Sequence, residues 1–354
     1  MKGYKAFNKG LICKGKQYKE NETFEEERAV PCHRGMHFCK NPFDVLNFYD
    51  LVDENGEFSD FARVEAPDDA EVKTDDNIKY CTTKLKVGAK FSFVGFVKTC
   101  VDFVIEKTQS EKPDSGNSAQ IGSSGYSAQI GSSGDYAQIG SSGYSAQIGS
   151  SGDSAQIGSS GYSAQIGSSG YSAKIGSSGD SAQIGSSGNS AQIGSSGYSA
   201  QIGSSGYSAK IGSSGNSAQI GSSGDSAQIG SSGYSAKIGS SGDSAKIGSS
   251  GDYAQIGSSG DSAQIGSSGN SAQIGSSGDS AQIKSTGYDS VICCAGDDSC
   301  VSAKKGSWIT LAEWKYSYEK DRYVPKCVKT EYVDGERIKE DTMYKLIDGE
   351  FTEV

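Results

Sequence analysis

Two cysteines and both histidines of the chain fall within eight residues, Cys32-His33-Arg34-Gly35-Met36-His37-Phe38-Cys39. Thiolate and imidazole are the ligands zinc prefers, and four of them would close a structural site. The spacing departs from the common zinc patterns, and His37 and Cys39 equally suit a core-facing strand. Cys32, His33, His37 and Cys39 are therefore metal candidates only, and no cofactor is assigned. A second kind of chemistry is spread along the middle of the chain. Tyr126, Tyr144, Tyr162, Tyr198 and Tyr234 recur in multiples of 18 residues, and Gln129, Gln147 and Gln165 recur at the same step. Rings along one edge and amides along one face would give a regular surface for a protein or another surface ligand. A lattice of Ser and Gln about 6.7 Å apart along a strand and about 4.8 Å across strands would also suit ice.

The element that must position these side chains is a repeat. From Asn117 to Gly287 the chain is nineteen consecutive nine-residue units, Tyr/Asp/Asn-Ser-Ala-Gln/Lys-Ile-Gly-Ser-Ser-Gly, without insertion or deletion. The tract holds 37 of the 49 glycines and no Pro, Cys, Phe, Leu, Val, Trp or Met. A flexible linker has no reason to keep Ile at every ninth position, so a stacked architecture is expected. Ala and Ile, two apart, face one side of a strand while Ser and Gln face the other. Gly-Ser-Ser-Gly with Tyr, Asp or Asn reads as a turn, in which Gly takes positive φ. One strand and one turn fill nine residues, so two units make an 18-residue coil with two parallel sheets, about 45 Å long in all. The two Ile and two Ala of one coil do not offset the ordering of its backbone. Ladder bonds to neighbouring coils are needed, and the flanking segments are expected to cap both ends.

These flanks divide the chain into residues 1–116, the array 117–287, and residues 288–354. The fold class expected is mainly β: a parallel β-solenoid between a small α+β N-terminal domain and an antiparallel β C-terminal cap. In the first segment Tyr4–Phe7, Phe61–Val64, Leu85–Val97 and Val101–Ile105 read as strands. Asn41–Tyr49 reads as a short helix capped by Asn41, with Pro42 in its first turn. In the last segment Tyr288–Ala303 continues the coils imperfectly. Trp308–Trp314 with the turns Asp334-Gly335 and Asp348-Gly349 reads as hairpins closing the rod.

Composition excludes several classes. With 49 Gly, 5 Pro and 34% hydrophobic residues in 354, one large core and a collagen helix are both ruled out. No apolar run approaches the roughly 20 residues of a membrane span. The first twenty residues lack the apolar stretch of a signal peptide. Nine cysteines at irregular spacing then suggest free thiols and a cytoplasmic location. The net charge of −10 is mixed along the chain, so no nucleic-acid partner is expected. Eight Asp against five Lys leave the array too weakly charged to mimic DNA. Ser also stands where a calcium-binding nonapeptide would need Asp.

The segment Gly35–Tyr49 resembles the N-terminal domain of an uncharacterised family of bacterial and phage proteins. That resemblance extends to Ser-Ala-x-x-x-x-Gly nonapeptides and to a tail like Trp308–Trp314 with Val333-Asp334-Gly335-Glu336; it implies no activity. Asp289-Ser-Val-Ile is similar to the coils of trimeric adhesin heads, also β-rolls. Gly35–Cys39 followed by a helix also resembles the strand–helix arrangement of ADP-ribosyltransferases. This implies an ADP-ribosyltransferase-like enzyme, with Glu65 as its acidic residue, or a nucleotide-binding module. The reading the residues favour is instead non-enzymatic: a rod presenting a repetitive Ser, Gln and Tyr surface to a partner, with self-association as a further role.

Overall fold

The computed structural model of the chain describes residues 1–31, 33–49, 59–75, 77–91, 93–108 and 116–354. Every nine-residue unit forms one four-residue strand, from Gln120–Ser123 to Gln282–Ser285. Partners lie 18 residues apart in parallel register, with Gln120 opposite Gln138, Ile121 opposite Ile139 and Ser123 opposite Ser141. Units counted as odd from Asn117 stack into one sheet and even units into the other. The 18-residue coil read from the Ala and Ile spacing is thus the coil observed. Val291–Cys294 extends the even sheet and Cys300–Ser302 the odd one.

Ala and Ile fill the interior, and so does a residue assigned above to the turn. The first Ser of each Ser-Ser pair ends its strand pointing inward: Ala146, Ile148 and Ser150 are each 0% exposed. In many units the inward hydroxyl accepts the N–H of the glycine two residues on, as Ser177 Oγ does from Gly179 at 3.3 Å. This local bond turns the chain out of the strand and lets a hydroxyl sit beside Ile.

The glycines also act differently from the expectation. None of the described array glycines has positive φ. From the second unit on, the last glycine is required by close approach: a Cβ on Gly206 would lie 1.9 Å from the Gly188 carbonyl oxygen. The glycine after Ile faces outward.

Positive φ occurs instead at the second residue of the last five units, Ser244, Tyr253, Ser262, Ser271 and Ser280. Before them the amide at this position bonds backward, as Ser235 N–H does to the Asn216 carbonyl at 2.8 Å. From Ser244 it bonds forward, to the Asp261 carbonyl at 2.7 Å. The units that do so open with Asp243, Asp252, Asp261, Asn270 and Asp279, the longest run of units not opened by Tyr. Their Oδ1 atoms accept amides from the next coil, Asp279 N–H to Asp261 at 2.8 Å among them.

The N-terminal segment is a seven-stranded antiparallel sheet ordered Thr23–Glu25, Lys84–Phe91, Asp60–Glu65, Lys2–Phe7, Met36–Cys39, Lys79–Thr82, Val72–Lys73. Several expectations need correcting. Phe93–Thr108 is one α-helix, so Val101–Ile105 is no strand and the strand expected over Leu85–Val97 ends at Phe91; the helix's apolar residues Phe96, Val97, Cys100 and Val101 follow helical spacing. The described residues of the domain, moreover, lie along the rod's side and do not cap its end. The helix lies along the even sheet from Gln129–Ser132 to Gln201–Ser204, and the first coil's Ile121 and Ala128 stay only partly buried. Phe43–Asn47 is a 3-10 turn rather than a longer helix, with Asn41 Oδ1 accepting the Phe43 N–H at 3.0 Å.

The C-terminal end is closed as expected. Trp308–Ser317 pairs in parallel with Val291–Cys294 and antiparallel with Arg322–Tyr332. Tyr344–Ile347 pairs with Cys300–Ser302 and, across the Asp348-Gly349 turn, with Glu350–Glu353. Asp334-Gly335 closes no hairpin; Asp334 Oδ1 gathers the amides of Glu336, Arg337 and Ile338.

Candidate functional site

One repeated sequence builds both faces of the rod, yet the two faces differ in access. On the even sheet, Gln165 Oε1 accepts from Asn41 Nδ2 at 2.9 Å, and Gln165 Nε2 donates to Asp44 Oδ1 at 3.2 Å. Gln183 Nε2 donates to Asn47 Oδ1 at 3.0 Å and Gln201 Nε2 to the Leu46 carbonyl at 2.8 Å. Between these amides Phe43, Leu46, Phe96 and Cys100 line, with Gly185 and Gly203, a cavity of only about 20 Å³. A Cβ on Gly185 would touch Val101 and Phe43 at 3.5 and 3.6 Å. Outward glycines of this sheet are buried from Gly149 to Gly167 and at Gly185, Gly221, Gly239 and Gly257.

On the odd sheet the same positions are open. Gln or Lys and the following outward residue are exposed on strand after strand, and a Cβ on Gly158, Gly176, Gly194 or Gly212 would meet nothing within 4 Å. The result is a shallow trough of 1510 Å³ running from Gln120 to Met343. Lys174, Lys210 and Lys246 stand in it on every second strand, and Lys284 continues the series two positions along its own strand.

The residues singled out from sequence thus divide. Gln147 and Gln165 belong to the covered sheet: Gln165 binds Asn41 and Asp44 of the chain's own domain, and Gln147 Nε2 donates to Gln165 Oε1 at 3.3 Å. Gln129, on the same sheet, is exposed near the rod's start. Tyr126, Tyr144 and Tyr162 do stack, with centroids 5.1 Å apart and planes within 9°. Asp180 and Asn216 interrupt the row, so Tyr198 and Tyr234 stand apart from it, and Tyr234 meets Tyr253 instead. The lysines on alternate strands break the lattice that ice would need.

In the N-terminal domain Cys32 lies outside the described residues. His33 is exposed in a loop, while His37 and Cys39, two residues apart, share one face of a strand. Among the described residues no three His, Cys, Asp or Glu side chains converge as a metal site. Burial first, and the ammonium groups of Lys5, Lys79 and Lys14 second, push the His37 imidazole down to about 4. Sequence reasoning missed the cluster next to it. Lys5 is 4% exposed; its Nζ donates to the His37 carbonyl at 3.0 Å and lies 3.4 Å from Cys13 Sγ, which meets Tyr49 Oη at 2.6 Å. Burial lowers the Lys5 pKa although Cys13 opposes it, and the Phe7, Tyr18 and Tyr49 rings surround the ammonium. The only signal in the sequence was that Lys5 shares a strand face with Phe7. Glu65 ends its strand in an open cleft of 580 Å³ whose other charged residues, Lys2, Lys40, Arg63 and Lys86, are all cationic. That cleft suits an anion more than it suits a base built around Glu65.

Fold and surface together define a class: a two-strand β-solenoid with one face occupied by its own N-terminal domain. Residues 1–99 match the family model of a domain of unknown function (DUF7666). No curated protein and no solved structure matched the chain. Among the described residues no helix is long and apolar enough to cross a membrane.

Proposed function

We propose that the protein is a non-enzymatic binding scaffold whose working surface is the odd face of the rod. The observation that carries this reading is the inequality of two faces of one sequence. The even face shows what the surface does: its Gln amides grip polar groups and its glycine track receives flat side chains. The odd face repeats that chemistry over the rod's length and stands open. None of the eight described cysteines of the chain forms a disulfide, which fits work in a reducing cytoplasm.

The test is to block the trough without disturbing the coil. Gly194→Trp with Gly212→Trp places bulk where a Cβ has no neighbour within 4 Å. The intact protein and this variant are screened against immobilised glycans, peptides and polymers. Ligands captured by the former should be lost by the latter, with thermal stability unchanged. Full retention of every captured ligand would remove the odd face from the account.

A further inference from the structure

The cations of the odd face are not scattered. They occupy the strands Lys174–Ser177, Lys210–Ser213, Lys246–Ser249 and Gln282–Ser285, which are every second strand of the sheet. With strands about 4.8 Å apart, this is a charge every ~9.6 Å along a line of about 29 Å. The outward strand positions between Gln120 and Ser285 hold only Gln, Lys and Gly, so the row contains no acid. Acids of the odd units stand at the turn edge, where Asp243, Asp261 and Asp279 accept backbone amides from the next coil. A chain with net charge −10 therefore carries a cationic, acid-free line on its one open face.

We infer that this face binds an extended acidic polysaccharide with one carboxylate per disaccharide; the inference rests on the odd face being the binding surface. An extended disaccharide unit is on the order of 10 Å long, about two strand spacings, so successive carboxylates meet successive lysines. Between them the exposed Gln amides offer both a donor and an acceptor to sugar hydroxyls. The glycine floor admits a ribbon-like chain close to the backbone. Single-stranded nucleic acid fits less well, because it is held by stacking on aromatic side chains and the trough has none.

The probes are a hyaluronan decasaccharide, the same oligosaccharide with its carboxylates reduced, and a thymidine decanucleotide. Titration calorimetry on the full chain is compared with Lys174→Gln/Lys210→Gln/Lys246→Gln/Lys284→Gly, a variant that restores the commonest residue at each position. The acidic oligosaccharide should bind, and the variant should weaken it on the order of tenfold to a hundredfold and flatten its salt dependence. The reduced oligosaccharide should bind no better than the variant does. No binding of the acidic probe, equal binding of the reduced one, or tighter binding of the nucleotide overturns the inference. If the lysine variant binds normally but Gly194→Trp/Gly212→Trp does not, the charge row is wrong and the open face stands. If both bind normally, the open face falls as well.

Discussion

A glycine of the array has one of two meanings, and its place in the unit decides which. From the second unit on, the last glycine lies under a carbonyl of the preceding coil, as Gly206 under Gly188. Gly206→Ala should therefore lower stability by about 1–3 kcal/mol or more through overpacking. Gly194→Ala, on the open face, should stay within about 0.5 kcal/mol in the same urea titration. Position in the repeat was legible in the sequence; the reason was not, because positive φ and close approach leave the same residue behind. His37 offers a second residue-level test. Its pKa is depressed in the folded state to about 4, below the ordinary 6.5. The unfolded chain thus binds the proton more readily, and the stabilisation is full above 6.5 and lost as pH falls toward 4. Half-exposure reduces the effect to roughly 1–2 kcal/mol. Between pH 7.5 and 4.5, His37→Gln should lose less stability than the natural chain; equal losses would contradict the assignment.

At the scale of elements, the coil was readable because Ala and Ile repeat with period two inside a nine-residue unit. The inward Ser and the helix Phe93–Thr108 were not. A Ser beside glycine carries turn signals whichever way it points, and a Phe- and Val-rich run suits strand or helix alike until its partner surface is known. That partner is the even sheet, whose amides hold the neighbouring Asn41–Asn47 turn, and this gives the element-scale prediction. Gln183 is 5% exposed and donates to Asn47. Gln183→Lys would place an ammonium in that contact and weaken docking by about 1–3 kcal/mol. Hydrogen exchange along Phe93–Thr108 should accelerate accordingly. Gln192→Lys, at the equivalent position of the odd face, should leave that exchange unchanged. The turn reversal at Ser244 coincides with the change from mixed opening residues to an unbroken run of units opened by Asp or Asn.

For the whole molecule, the repeat creates a rod with a nearly twofold screw, and the flanks break that symmetry. The C-terminal hairpins close one end, while the N-terminal domain occupies a side. Deleting Tyr207–Gly224, two units, should bring the cap about 4.8 Å nearer the domain and keep it on the same side. Deleting Tyr207–Gly215 alone should carry the cap to the opposite side of the rod. Spin-label distances from Val30 to Tyr318, both exposed, separate these outcomes; a coil of any other length would not give the alternation. The central claim, that one sequence presents a covered face and an open one, is tested most directly by thiol labelling. Gly185→Cys and Gly194→Cys differ by one unit, and labelling at each site is followed by mass spectrometry. Cys at 194 should react as a free surface thiol and Cys at 185 at least about tenfold more slowly. Equal rates at the two sites would contradict the account.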